Sequence, residues 1–221
     1  MSEVLPPADP NPVLFRSPRK RGRVMVMLSG RGSNFLAIHD AMRAGAIDAD
    51  IALVFSNKAD GPGLAAARER GLATQSLDPK LFPDKPAYDA EIVRTARERD
   101  IDLIVLAGYM KIVTPGFCDA FPYRIVNIHP ALLPSFPGLH VQQRAIDWGV
   151  RWSGCTTHFV AAEVDAGPII LQAAVPVLQD DTEESLAARI LVEEHRIYPE
   201  TVRLYFQGRL EVRGRRVVIL D

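Results

Sequence analysis

The stretch Val24-Met25-Val26-Met27-Leu28, followed by Ser29-Gly30-Arg31-Gly32-Ser33-Asn34, decides the fold class of this chain. Five consecutive apolar residues are typical of a strand that is buried on both faces of a sheet. The two glycines then allow a tight turn, and we expect a helix from Asn34 to about Ala44. A strand, a glycine turn and a helix in this order are the first unit of an open α/β sheet.

The rest of the chain continues this alternation of strand-like and helix-like segments. Strands are predicted at residues 51–55, 73–77, 103–106, 125–128, 152–160, 169–176 and, as a terminal edge strand, 217–220. Helices are predicted at residues 61–70, 86–99, 141–148 and from about residue 182, where Asp181 and Glu184 have the spacing of a capping box. We expect Pro199 to kink or end that last helix. The pattern predicts an α/β fold, with an open, mostly parallel twisted sheet and helices on both faces.

Composition and charge exclude several classes of protein. The chain has 221 residues, of which 48% are hydrophobic and 24% are charged, so one α/β domain with a substantial core is expected. The net charge of −1 favours neither nucleic acid nor an anionic membrane. No apolar stretch reaches the roughly 20 residues that cross a bilayer. The two cysteines, Cys118 and Cys155, make no disulfide framework and fit a cytoplasmic location.

The N-terminal segment differs from the rest in composition. It is rich in proline and has no continuous apolar region of the kind that a secretory signal peptide needs. We predict that residues 1–22 form a mobile N-terminal tail and that residues 23–221 form a single catalytic domain.

The stretch Asn127-Ile128-His129-Pro130 carries the candidate chemistry. Asn127 and His129 lie two residues apart at a predicted strand end, so they share one face. Ligands bind at strand ends in open α/β sheets. An amide and an imidazole placed side by side can stabilise a developing oxyanion and move a proton. A single histidine at a strand end is nevertheless more often structural, and we interpret His158 and His140 mainly in that way.

The glycine turn is a candidate phosphate site, because the N-terminus of a helix offers N–H groups and a positive dipole end. A tight turn without a ligand explains the pattern equally well. A dinucleotide site is disfavoured because Phe35 stands where the third glycine of that fingerprint would fall.

Two carboxylates are further candidates. Asp165 precedes a Gly-Pro turn, where an aspartate is usually a turn former. Glu194 lies on the apolar stripe of the last helix, four residues after Ile190 and three before Ile197. An unpaired carboxylate there is costly, unless its side chain reaches water from the rim of the core. No set of His, Cys or carboxylate residues has metal-ligand spacing, and no Gly-x-Ser-x-Gly elbow is present.

Four blocks resemble the phosphoribosylglycinamide formyltransferase family. They are Leu28-Ser29-Gly30-Arg31-Gly32-Ser33-Asn34; Val54-Phe55-Ser56-Asn57-Lys58-Ala59; Asn127-Ile128-His129-Pro130 with Pro137-Gly138-Leu139-His140; and Gly154-Cys155-Thr156-Thr157-His158-Phe159-Val160 with Val164-Asp165-Ala166-Gly167-Pro168. The blocks follow the family order between about residue 24 and about residue 210. Ala166 departs from the family's usual Asp-Gly-Gly only at a flanking position.

The resemblance implies transfer of a formyl group from 10-formyltetrahydrofolate, as co-substrate, to the amino group of phosphoribosylglycinamide in purine (IMP) biosynthesis. It implies that Asn127, His129 and Asp165 are catalytic. The implied substrate-binding residues are Gly32, Ser33, Asn34 and Glu194, and the implied folate-binding residues are Lys85, Met110, Lys111, Ile112, Val113 and Asn127. Lys85 stands where the family often has an arginine, so the charge is kept but the bidentate fork is lost. No metal is expected.

The sequence is also compatible with other functions. A formyltetrahydrofolate hydrolase and the methionyl-tRNA formyltransferase use the same chemistry, but each usually carries a further domain that we do not expect in this chain. A non-catalytic nucleotide-binding module belongs to a different class, and the presence of Asn127, His129 and Asp165 argues against it. We expect small-molecule substrates and no nucleic-acid or membrane partner. The sequence does not indicate an oligomeric state.

Overall fold

The computed structural model describes residues 13–14 and 21–221. Its strands are β1 (Val13–Leu14), β2 (Gly22–Leu28), β3 (Ala49–Ser56), β4 (Thr74–Ser76), β5 (Leu103–Leu106), β6 (Ile125–His129), β7 (Trp152–Phe159), β8 (Ile169–Pro176), β9 (Leu210–Arg213) and β10 (Arg216–Ile219). Its α-helices are α1 (Ser33–Arg43), α2 (Pro62–Glu69), α3 (Lys85–Glu98), α4 (Pro115–Ala120), α5 (Val141–Asp147) and α6 (Glu183–Phe206), with a short 3-10 helix at Pro79–Leu81. The strands form one sheet in the order β1-β9-β10-β8-β7-β6-β5-β2-β3-β4.

Strand β2 lies at the centre of the core. Val24, Val26 and Leu28 face one side of the sheet and pack with α1 and α6. Met25 and Met27 face the other side and pack with α3 and α4. All five side chains are fully buried, and each contributes about 1.5–3 kcal/mol of hydrophobic stabilisation. The predicted open α/β sheet with helices on both faces is therefore confirmed.

The direction of the strands places the functional loops together. Strands β4, β3, β2, β5 and β6 are parallel to one another, whereas β7 is antiparallel to both β6 and β8. The chain runs outward from β2 to β3 and β4, and then returns to place β5 on the other side of β2. The strand order thus reverses between β2 and β5, which is where ligands bind in sheets of this kind.

The last helix differs from its prediction at two points. Its N-terminal cap is formed by Thr182 and Ser185, which bond reciprocally, and not by Asp181 and Glu184. The helix also continues through Pro199 to Phe206, so of the two predicted effects of Pro199, a kink or an end, the end does not occur. Residues on both sides of Pro199 are buried, and their packing keeps the helix continuous through the proline. The hydroxyl of Tyr198 lies 3.0 Å from the carbonyl oxygens of Leu106 and Val126, and this contact holds the helix against the sheet.

The C-terminal strands also differ from their prediction. Strand β10 pairs with β8 on one side and with β9 on the other, so it is not the predicted edge strand. The β9–β10 hairpin turns at Gly214, whose φ of +60° a glycine adopts without strain. Neither β9 nor the short helix α4 was predicted.

Most of the predicted N-terminal tail lies outside the described residues. Val13 and Leu14 are described, and they pair with Val212 and Glu211 on the outer side of β9. Gly22 already belongs to β2. Within the described part of the chain, no helix is long and apolar enough to cross a membrane.

Candidate active site

Asn127 and His129 lie at the C-terminal end of β6. The strand extends one residue beyond its predicted end and includes His129, whose side chain is buried. Ile128 between them packs into the core on the opposite face of the sheet. The period-two argument for Asn127 and His129 is therefore correct, and the two side chains project to the same side of the strand.

The ring of His129 lies between two acceptors. Its Nε2 is 2.9 Å from the carbonyl oxygen of Phe136, and its Nδ1 is 3.4 Å from Oδ2 of Asp165. A carbonyl oxygen can only accept a hydrogen bond, so Nε2 must carry a proton. The other nitrogen, Nδ1, faces the carboxylate and is the one left to exchange a proton. The fold thus brings Asp165 to His129, which sequence spacing alone could not show.

Asp165 is held in place by the backbone around it. Its Oδ2 accepts a 2.9 Å hydrogen bond from the backbone N–H of Gly138. Its φ is +55°, a left-handed conformation that aspartate tolerates better than most residues. Two residues later, a side chain at Gly167 would collide with the carbonyl oxygen of Phe159 at 1.8 Å. The Gly-Pro turn therefore brings the Asp165 loop close to the end of β7.

His158 contributes to the site, although the sequence indicated mainly a structural role for it. Strand pairing places His158 directly opposite Asn127, and its Nε2 lies 3.2 Å from Nδ2 of Asn127. Its Nδ1 donates to the carbonyl oxygen of Phe159 at 2.9 Å. Burial lowers the pKa of His158, which favours the neutral ring with Nε2 as an acceptor. Nε2 then accepts one N–H of Asn127, leaving the second N–H of that amide to meet a ligand. The antiparallel register of β6 against β7 is the only feature from which this pair could have been predicted.

The glycine loop precedes α1 as predicted. Gly32 is the N-cap residue of α1, with a φ of +77°, and no side chain caps the helix. The backbone of Gly63 in α2 supports the loop, because its N–H donates to the carbonyl oxygen of Gly30 at 3.1 Å. An uncapped helix N-terminus after a glycine turn suits a phosphate group. Ser33 and Asn34 occupy the first turn of this helix.

Asn34 and Glu194 meet beside this loop. The side-chain amide of Asn34 donates to Oε2 of Glu194 at 2.7 Å. Glu194 is only 8% exposed, so it does not reach water from the rim of the core. Burial raises the pKa of this carboxyl, and the hydrogen bond from Asn34 opposes that shift in part. The structure thus joins two of the predicted substrate-binding residues into one unit.

Ser29 connects the loops that follow β2, β3 and β5. Its hydroxyl donates to Oδ1 of Asn57 at 2.6 Å and accepts from the backbone N–H of Met110 at 2.9 Å.

In the loop that follows β5, Met110 is 68% exposed and Ile112 is 64% exposed, so both present apolar surface outside the core. Val113 is buried among core residues, and its side chain is not presented to a ligand.

A cavity of about 270 Å³ lies beside this loop. It is lined by Pro79, Phe82, Asp84, Lys85, Tyr88, Asp89 and Lys111. Lys85 pairs with the buried carboxylate of Asp89 at 3.1 Å, and the same carboxylate accepts the backbone N–H of Thr114 at 2.7 Å. The cavity therefore brings together Lys85 and Lys111, two of the predicted folate-binding residues. Within the described residues, no group of three or more His, Cys, Asp or Glu side chains could hold a metal ion.

Comparison with known proteins points to one family. Residues 22–202 match the family described as Formyl transferase. The chain is 43% identical over 189 residues to the phosphoribosylglycinamide formyltransferase of Escherichia coli (strain K12), covering 86% of this chain and 89% of that protein. It is 51% identical to the crystal structure of glycinamide ribonucleotide transformylase 1 from Symbiobacterium toebii, with a TM-score of 0.90 and coverage of 91% of this chain and 95% of that one.

A relative named as a deformylase is less similar. The crystal structure of a formyltetrahydrofolate deformylase from Pseudomonas syringae pv. tomato matches with a TM-score of 0.83 and 30% identity. The match covers 91% of this chain but only 66% of the deformylase. Both kinds of relative thus share the fold, and the transformylases share more of the sequence.

Proposed function

The chain belongs to the formyl transferase family and transfers a formyl group from 10-formyltetrahydrofolate to the amino group of phosphoribosylglycinamide, and we propose that Asn127, His129 and Asp165 carry out this transfer. The reaction is a step of purine biosynthesis that yields formylglycinamide ribonucleotide and tetrahydrofolate. One observation carries the assignment of residues. His129 is buried between Asp165 and the Phe136 carbonyl, with Asn127 beside it at the end of β6.

The proposed chemistry needs a donor for an oxyanion and a carrier for a proton. The neutral amine of phosphoribosylglycinamide attacks the formyl carbon, and a carbon–nitrogen bond forms while the carbonyl oxygen becomes an oxyanion. The second N–H of Asn127 donates to this oxygen, and the positive charge of the protonated His129 ring stabilises it through space, because both ring nitrogens already face acceptors. The intermediate then collapses and breaks the bond to the folate nitrogen. The proton lost by the attacking amine is passed to that nitrogen with the help of His129, whose ring Asp165 orients.

The substrate is proposed to lie across the ends of β2 and β6. Its phosphate binds at the N-terminus of α1, on the backbone of Gly32, Ser33 and Asn34. The carboxylate of Glu194 then receives N–H or O–H groups of the glycinamide ribonucleotide. Support comes from the contact between Asn34 and Glu194, because Asn34 belongs to both the phosphate site and this second site.

The folate is proposed to lie against the loop that follows β5. Met110 and Ile112 offer exposed apolar side chains to the flat ring system, while Lys85 and Lys111 offer positive charge to the carboxylates of the glutamate tail. Asn127 contacts the formyl group between the two substrates. Val113 is proposed to act only through the backbone, since its side chain is buried.

We further propose that residues 23–221 act as one catalytic domain in the cytoplasm, on small molecules and without a metal. Cys118 and Cys155 are both unpaired and buried, as expected in a reducing compartment.

One assay tests the function directly. Purified protein is mixed with phosphoribosylglycinamide and 10-formyltetrahydrofolate, and the absorbance of the folate product is followed. We expect product only when both substrates are present. Release of tetrahydrofolate at an equal rate without phosphoribosylglycinamide would indicate a hydrolase, and no turnover of the folate under either condition would indicate a binding module.

A further inference from the structure

We propose that Arg144, on helix α5, is a positioning residue that clamps the loop at residues 135–139 against both His129 and Asp165. The proposal rests on the catalytic roles proposed for those two residues. Arg144 itself contacts neither of them, and it acts through the backbone of the loop between them.

Arg144 contacts the loop in two ways. Its Nη1 donates to the carbonyl oxygen of Pro137 at 2.6 Å. Its guanidinium carbon also lies 5.5 Å from the centre of the Phe136 ring, within the range of a cation–π contact. The backbone N–H of Arg144 bonds to the carbonyl oxygen of His140 at 3.1 Å, so the arginine is fixed in the first turn of α5. From this position its side chain reaches back over the loop that precedes the helix.

The loop residues that Arg144 holds are the ones that bond the catalytic side chains. The carbonyl oxygen of Phe136 accepts from Nε2 of His129 at 2.9 Å. The N–H of Gly138 donates to Oδ2 of Asp165, also at 2.9 Å. Pro137 lies between these two residues in the chain, and its carbonyl oxygen accepts from Arg144. Three consecutive residues thus connect one arginine to both members of the His129–Asp165 pair.

The loop needs such support because of its backbone conformation. Phe136 has a φ of +53°, which is unfavourable for a bulky residue. Conformations of this kind persist only where surrounding contacts hold them. Phe136 is only partly buried against the core, and the contacts from Arg144 add to that support.

The clamp determines which nitrogen of His129 takes part in proton transfer. The bond from Nε2 to the Phe136 carbonyl keeps the proton on Nε2, and Nδ1 then faces Asp165. If the loop shifts, Nε2 loses its acceptor and the ring can adopt the other tautomer or rotate. An arginine suits this position better than a lysine, because its planar group can stack on the phenyl ring and donate to the carbonyl at the same time.

The test uses the full chain with three substitutions on α5. Arg144→Ala removes both contacts, Arg144→Lys keeps one donor, and Gln143→Ala is the matched control on the same helix, where Gln143 bonds only Asp147 among the described contacts. We measure kcat, KM for each substrate and the melting temperature of each variant. For Arg144→Ala and Gln143→Ala the rate is also measured in dilute guanidinium chloride against sodium chloride of equal ionic strength.

We expect kcat of Arg144→Ala to fall about 10- to 100-fold below that of Gln143→Ala, by analogy with the loss of a hydrogen-bond partner behind a metal-bound histidine. KM for phosphoribosylglycinamide should stay within about twofold, because the phosphate loop lies on another element. Guanidinium should restore part of the rate of Arg144→Ala only, and Arg144→Lys should fall between the two alanine variants. A kcat of Arg144→Ala within twofold of the control would overturn the proposal. A fall in kcat that comes with a higher KM for both substrates and a lower melting temperature would also overturn it, because that result would show a merely structural role.

A second measurement separates this proposal from the proposed function. Nitrogen-15 chemical shifts of the His129 ring, assigned by their disappearance in His129→Asn, report which nitrogen carries the proton without any turnover. We expect Nε2 to carry a proton in the unmodified chain, and to lack it in part of the Arg144→Ala molecules. Unchanged shifts in Arg144→Ala would count against the clamp. Absence of formyl transfer by the unmodified chain would count against the function alone.

Discussion

The side-chain amide of Asn34 donates a 2.7 Å hydrogen bond to Oε2 of Glu194, across 160 positions of the sequence. The amide oxygen of Asn34 is buried and has no hydrogen-bond partner among the described residues. A buried hydrogen-bond acceptor without a partner is costly. A ligand with N–H or O–H groups can donate both to this amide oxygen and to the carboxylate beside it, so the site suits such a ligand. This pair is the basis of the first prediction.

Glu194→Gln should stabilise the fold and weaken substrate binding. Burial raises the pKa of Glu194 from its ordinary value of 4.5, so the folded chain holds this proton more tightly than the unfolded chain. Ionisation of Glu194 therefore reduces stability as the pH rises above 4.5. Glutamine keeps an acceptor for Asn34 and cannot ionise. We expect its melting temperature to exceed that of the unmodified chain by ~2–4 °C at neutral pH, with a difference that shrinks as the pH falls.

The same variant should raise KM for phosphoribosylglycinamide by about tenfold or more, since a charged acceptor is lost. Thermal melts over a pH series and steady-state kinetics check both effects. Glu193→Gln is the control, because Glu193 pairs with Arg196 near the surface, where such pairs contribute little. A melting temperature of Glu194→Gln below that of the control at neutral pH would contradict the argument.

Asp165→Asn should remove most of the activity while leaving substrate binding intact. The substitution keeps the size of the side chain but removes the charge that faces Nδ1 of His129 at 3.4 Å. We expect kcat to fall by ~100-fold or more, the scale of lost proton transfer or oxyanion stabilisation. Binding of phosphoribosylglycinamide, measured by titration, should change little because the proposed phosphate site lies on α1.

His129→Ala should be similarly impaired. The double variant of His129 and Asp165 should be scarcely worse than either single one, because groups that act as a unit are non-additive. Fully additive losses in the double variant, or near-normal kcat in Asp165→Asn, would return Asp165 to the role of a turn residue.

Gly63→Ala should displace the glycine loop before α1, the proposed phosphate site. A Cβ at Gly63 would lie 2.8 Å from the carbonyl oxygen of Gly30 and 2.9 Å from a methyl carbon of Leu28, both closer than real contacts allow. The loop must therefore shift, at a cost of about 1–3 kcal/mol in unfolding free energy. We also expect KM for phosphoribosylglycinamide to rise by about tenfold, as judged by chemical denaturation and kinetics of the same preparation.

Gly116→Ala is the matched control for Gly63. Both glycines follow a proline at the start of a helix, but a Cβ at Gly116 would meet nothing within 4 Å. Alanine there should leave KM unchanged and stabilise the fold slightly through its helix propensity. Equal behaviour of the two variants would show that the packing of Gly63 does not support the loop.

Lys85→Met should weaken folate binding without affecting chemistry. Lys85 lines the same cavity as Lys111 and pairs with Asp89 at 3.1 Å. Methionine keeps the length of the side chain but removes its charge. We expect KM for 10-formyltetrahydrofolate to rise about 3- to 10-fold and kcat to stay within about twofold, because a partly exposed charge contributes modestly. Lys80→Met, in the nearby 3-10 helix, is the control. An unchanged KM for Lys85→Met would place the folate tail elsewhere.

Local pattern determined the fold class and most of the elements of this protein. The apolar run at Val24–Leu28 and the glycine turn after it predict a strand, a loop and a helix, and the structure has β2 and α1 there. Four sequence blocks also indicated the family, and the family match over residues 22–202 confirms it. Such features can be predicted because periodicity and turn chemistry depend only on residues that are close together in the chain.

Only the tertiary structure decided which side chains meet. The register of β6 against β7 places His158 opposite Asn127, and the loop after β7 brings Asp165 to His129. Packing of α6 against the sheet carries that helix past Pro199, where local propensity predicts an end or a kink. Each of these contacts joins residues far apart in sequence, and its energy comes from burial and strand pairing across the whole sheet. Local spacing contains no information about them, so the types of the site residues were readable from the sequence and their geometry was not.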